Sequence, residues 1–144
     1  MAVQMPISKK LGWMASFFFG FLSIVIYDVL TLKVGIWTFV TAFAYGVLGL
    51  GAHMYFKNHK GVKSYAFYAI VGTILYDAFT GLSIGPLFFG QSFTASLVGQ
   101  IPFTLIHLLG NVSFAILLSP LVERWVAKES VAESSAHIIR IVEV

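Results

Sequence analysis

The chain has 144 residues, of which 58% are hydrophobic and only 10% are charged, with a mean hydropathy of +0.89 and a formal net charge of +3. A soluble domain of this length carries about 25% charged residues, so a water-soluble globule is excluded first. Cysteine is absent, which removes disulfides, thiolate nucleophiles and cysteine metal sites.

The hydropathy pattern predicts an all-α fold, a polytopic transmembrane bundle of about five to six helices. A span needs about 20 mostly apolar residues, and five candidate segments emerge, at about 11–32, 36–56, 64–80, 86–100 and 102–127, the fourth short enough to be a tilted or partial span. Lys9 and Lys10 precede the first. That run is too long for a signal peptide and lacks a small-residue cleavage site, so it is read as a retained helix. Lys33-Val34-Gly35 breaks the first segment from the second, and Lys57 to Gly61 forms a polar turn before the third. The uncharged stretch Gly81–Pro86 is expected to be a loop between the third and fourth. Pro102 suits the first turn of the fifth, where its missing N–H needs no partner. Residues 1–128 thus form the bundle, and 129–144 read as an exposed tail.

The segments at 11–32 and 64–80 end alike. Tyr27-Asp28-Val29-Leu30-Thr31 and Tyr76-Asp77-Ala78-Phe79-Thr80 repeat a Tyr-Asp-x-x-Thr pattern 49 residues apart, and Asp28 and Asp77 are the only aspartates. A carboxylate beside hydrocarbon is costly and calls for a partner or a task. The same exception made twice implies an internal duplication, with repeats at about 15–50 and 64–99.

Two further patterns carry candidates. Thr104, His107 and Asn111 follow one another at i, i+3 and i+7, which sets them on one helical face. Three hydrogen-bonding side chains there should not meet lipid. They line a solute pocket with Gln100 at its mouth, or they glue helices together. Asp77 and Thr80 sit near the expected Gly81–Pro86 loop, at the rim of such a pocket. Gly12, Ser16 and Gly20 form a small-x-x-x-small strip that lets helices approach closely, inside the bundle or against a partner protein.

Chemistry of other kinds has no foothold. No phosphate loop, His-Glu-x-x-His or nucleophile elbow occurs. The four histidines, His53, His59, His107 and His137, lack metal-ligand spacing. An enzyme, a metal site and a cofactor are therefore not expected. The lysines lie between apolar runs and read as orientation signals rather than a nucleic-acid surface. With five spans, Lys9, Lys10, Lys57, Lys60 and Lys63 share one side, while Lys33, Arg124, Lys128 and Arg140 share the other, so the bias is slight.

The string Tyr76-Asp77-Ala78-Phe79-Thr80, then Val98-Gly99-Gln100-Ile101-Pro102-Phe103-Thr104-Leu105-Ile106-His107, then Ser119-Pro120-Leu121, resembles the C-terminal half of the substrate-binding S components of energy-coupling factor (ECF) transporters. The resemblance spans roughly residues 64–125. Thr104 stands where an Asn is frequent in that family, and His107 near a common basic position. The resemblance implies a substrate-capture subunit of a micronutrient uptake transporter in the cell membrane. Such a subunit has no ATPase activity of its own. Its implied partners are a transmembrane coupling protein and two cytoplasmic ATPase subunits. The resemblance points to Thr104 and His107, and together with the spacing argument the expected substrate-binding residues are Asp77, Thr80, Gln100, Thr104, His107 and Asn111. Gly12, Ser16 and Gly20 match the family's docking motif. The family has six helices, with the C-terminus in the cytoplasm. A small membrane scaffold or assembly protein, with no solute, is the competing expectation, and a proton or ion path through Asp28, Asp77 and His107 is a third.

Overall fold

A computed structural model describes residues 1–10 and 12–127, so the expected tail at 129–144 lies outside the described residues. The described chain is all-helical. A short α1 (Gln4–Lys10) precedes four long helices: α2 (Trp13–Leu30), α3 (Ile36–Phe56), α4 (Val62–Phe89) and α5 (Phe93–Leu117). After a turn at Leu118 the chain is helical again through residues 119–127. Four helices, the last running Phe93–Ala127, are long and apolar enough to cross a membrane.

The expected division into five spans is corrected at the third and fourth. Gly81–Pro86 is not a loop but part of α4, with Pro86 inside the helix. In lipid an unwound stretch leaves backbone groups without partners, so a helix that tolerates its proline is preferred to an open loop. Helix α4 stops instead at Gly90, whose φ of 63 is a left-handed conformation that glycine adopts freely. Ser92 then caps α5 by accepting the backbone N–H of Ala95 at 3.2 Å. Residues 93–101 and 102–127 belong to one helical run, and Pro102 lies within it.

Short connections make the helices antiparallel neighbours in the order α2, α3, α4, α5. The α2–α3 hairpin packs through small residues. A Cβ at Gly49 would overlap the carbonyl oxygen of Ser16, and one at Gly20 would overlap Tyr45 and Gln4. Ser16 and Gly20 are buried, so two of the three residues of the expected docking strip close the chain on itself. A Cβ at Gly12 would meet nothing within 4 Å.

The N-terminal segment is the least expected feature. Residues 1–10 insert among the helices, with Gln4, Met5 and Ser8 buried. The backbone nitrogen of Met1 donates to the Tyr45 hydroxyl. Gln4 Nε2 donates to the Tyr45 carbonyl at 2.9 Å, and Ser119 Oγ donates to the Ala2 carbonyl at 2.8 Å. His53 Nδ1 lies 2.8 Å from the Ser8 carbonyl, and Lys9 pairs with Glu123. A cavity of about 310 Å³ between α2 and α5 has Met1–Gln4 along its floor.

An even number of spans also sorts the charges. Lys9, Lys10, Lys57, Lys60, Lys63 and Arg124 now share one face, and among the described residues Lys33 alone lies at the other. The near-tie of the five-span division came from placing Arg124, along with Lys128 and Arg140, which lie outside the described residues, across the membrane from the lysines.

Candidate functional site

Helices α4 and α5 meet along a polar seam, one rung per turn or so. Thr73, Asp77, Gly81 and Gly85 repeat every fourth residue of α4, which keeps them on one face. Asn111 Nδ2 donates to Thr73 Oγ1 at 2.9 Å. His107 Nδ1 lies 2.7 Å from Asp77 Oδ1. Gln100 lies across Gly81, where a Cβ would overlap its Oε1, and Gln91 and Ser96 lie over Gly85 in the same way. The two glycines are notches that let carboxamides cross the helix.

Asp77 is fully buried, and its Oδ2 has no hydrogen-bond partner. His107 is one-third exposed, with Phe103 and Tyr76 rings at 5.5 and 6.3 Å. With Nδ1 facing Oδ1, the ring geometry leaves Nε2 on the side away from the carboxyl group. Asp28, by contrast, accepts a hydrogen bond from Thr38 Oγ1 at 2.6 Å, and Thr38 itself caps α3 by accepting from the Gly35 N–H at 3.0 Å.

The six residues expected to bind substrate therefore gather on one helix pair, yet they do not line one pocket. Thr80 and Gln100 open onto a cleft of about 340 Å³ between α3, α4 and α5. Gln100 and Thr104 also line a groove of about 300 Å³ with Ile74 and Leu108. His107 and Asn111 border a third, along α5, with Phe114. Asp77 sits behind His107 and lines none of these. The expected single pocket of Thr104, His107 and Asn111 is thus corrected: Gln100 Nε2 donates to Thr104 Oγ1 at 3.1 Å, and that pair belongs to a different groove from His107 and Asn111.

Five polar side chains line the 340 Å³ cleft. Thr41, Tyr76 and Thr80 bring hydroxyls, and Gln91 and Gln100 bring carboxamides. Phe89 and Phe103 supply aromatic walls, and Trp37 packs on Phe89 with ring centroids 5.7 Å apart. Thr41, Tyr76, Phe89, Gln91 and Phe103 are absent from the sequence-based expectation. Two glycines four residues apart, followed by two glutamines, were the available signal, and it is legible only once Gly81–Pro86 is helical.

Among the described residues no group of three His, Asp or Glu side chains is placed to hold a metal ion. Comparison with known proteins returned no matching family, no matching curated protein and no matching solved structure.

Proposed function

We propose that the chain is a membrane-embedded solute-capture subunit of a micronutrient uptake transporter. One observation carries this reading: an uncharged polar cleft between α3, α4 and α5, where Gln100 on α5 and Gln91 in the α4–α5 turn lie over two glycines of α4. Polar groups placed inside lipid-spanning helices need a partner, and a bound solute is a partner. The resemblance of residues 64–125 to ECF-type S components supports it. On that reading the chain has no ATPase activity and works in the cell membrane with a coupling protein and cytoplasmic ATPases. The charge asymmetry supports an orientation with both the Lys9 and the Arg124 ends in the cytoplasm. The cleft, beside Gln91 and Trp37, then lies toward the outer face. Ser16 and Gly20 are buried, so the coupling protein would contact another surface.

Native mass spectrometry of protein released gently from the membrane tests this reading. A small molecule should co-purify, and Gln100→Ala should lower its occupancy while helicity by circular dichroism is kept. Protein that is empty from every growth condition would sink it. The scaffold reading has its own support, because Thr73–Asn111 and Asp77–His107 satisfy each other as helix glue does. Empty but fully stable protein would favour that alternative.

A further inference from the structure

We infer that the solute is uncharged and planar and presents an amide or lactam edge. The inference rests on the solute-capture reading and narrows it to a chemical class. Three observations in the cleft carry it.

The first is the missing charge. No Asp, Glu, Lys, Arg or His lines the cleft. Behind the cleft, Asp77 Oδ1 faces His107 and Asp28 accepts from Thr38. An ion bound in the cleft trades part of its hydration for a lining that offers no counter-charge, so a neutral solute is favoured.

The second is the pair of carboxamides. Gln100 gives one of its two Nε2 hydrogens to Thr104 and keeps the other, with Oε1, for a further partner. Gln91 Oε1 accepts from Ser96 Oγ at 3.2 Å and keeps a second lone pair, with both Nε2 hydrogens. Gly81 and Gly85, under the two amides, are one turn apart on α4. Each carboxamide thus keeps both a donor and an acceptor, which matches a group that carries an N–H and a C=O side by side. A primary amide or a cyclic lactam has both and is neutral. A solute that meets both carboxamides is favoured over one lacking either group, because it makes more hydrogen bonds in the cleft.

The third is the aromatic wall. Phe89 and Phe103 line the same cleft, and flat rings stack well on such faces. Tyr76 adds a third ring carrying a hydroxyl.

Trp37, packed on Phe89, is a built-in reporter. The chain has three tryptophans, so Trp13→Phe with Trp125→Phe leaves Trp37 alone. This protein, in lipid nanodiscs, is titrated with three probes of one size: nicotinamide, the nicotinate anion and the ring-N-methylated nicotinamide cation. Nicotinamide should change Trp37 emission with a Kd at least about 10-fold below that of either ion. Gln100→Glu should reverse the order in favour of the cation, a change that mere loosening of the fold would not produce. Gln91→Ala should weaken nicotinamide alone. Equal binding of ions and neutral amide, no response to any probe, or an unchanged order in Gln100→Glu would each overturn the inference. The two readings fail separately. A charged molecule found by native mass spectrometry sinks the amide class and leaves solute capture standing, whereas no co-purifying molecule removes both.

Discussion

In α2, Asp28 is followed by only two helical residues, Val29 and Leu30, before the chain turns. Thr38, in the first turn of α3, comes back to it within ten residues and donates to Oδ2. In α4, Asp77 is followed by twelve helical residues, 78–89, so no turn can return to it. Its partner is His107, thirty residues on and in the next helix. The same Tyr-Asp-x-x-Thr string is a hairpin-end contact in one half and a mid-helix pair in the other. Helix starts show the divergence as well: α3 begins at Ile36 and α5 at Phe93, a separation of 57 (93 − 36) against the 49 of the motif. Packing follows suit. Hairpin α2–α3 closes on bare backbone at Gly20 and Gly49, while α4–α5 closes on side-chain hydrogen bonds. A motif does not carry its own environment; the length of helix beyond it decides what it can reach.

The largest effect should come from putting bulk into the backbone contact. Gly49→Leu forces a side chain into the Ser16 carbonyl and should cost about 3 kcal/mol or abolish folding. Gly99→Ala, where a Cβ meets nothing within 4 Å, should be neutral or gain up to about 1 kcal/mol from helix propensity. Thermal unfolding in detergent separates the two. Comparable losses from both would mean that the hairpins do not differ in how they pack.

Next is the buried pair. His107→Ala leaves a fully buried carboxylate alone and should cost about 2 kcal/mol. The double replacement Asp77→Leu with His107→Leu removes the charge and should recover most of that loss. If the double variant is worse than the single one, the pair contributes net stability. Asp28→Asn keeps an acceptor for Thr38 near the helix end and should move stability by less than about 1 kcal/mol.

Asn111→Ala removes a neutral interhelical bond to Thr73 and should lower stability by about 1 kcal/mol. Thr73→Val, measured with it in a double-mutant cycle, should show that the two losses are coupled. Additive losses would mean the seam is not held by that contact.

The smallest effect belongs to the ion pair that ties α1 to the end of the α5 run. Lys9 and Glu123 are partly exposed, so Lys9→Ala should cost about 0.5 kcal/mol and less at high salt. The same substitution reads the N-terminal segment. Faster hydrogen exchange at residues 2–8, with the long helices unchanged, would show that the pair fastens the segment.

Hydropathy alone determined that the chain is helical and suited to a membrane, because burial in lipid depends on local apolar length. It also marked Asp77, Gln100, His107 and Asn111 as needing partners, because a polar side chain in an apolar helix carries that requirement wherever it sits. What hydropathy could not supply is the identity of those partners. Thr104 shares a helical face with His107 by spacing, yet Gln100 draws it to another groove. Ser16 and Gly20 read equally as a packing strip inside the bundle or a surface for another protein, and α3 packs on them. Residues 1–10, too short and too polar for a span, proved to fill space between helices. The glycines and proline at 81–86, turn formers in water, remain in a helix here, because lipid offers an open backbone no hydrogen bonds. Each of these outcomes depends on which helix is the neighbour, and adjacency in a folded bundle is set by tertiary packing, which no local stretch of residues contains.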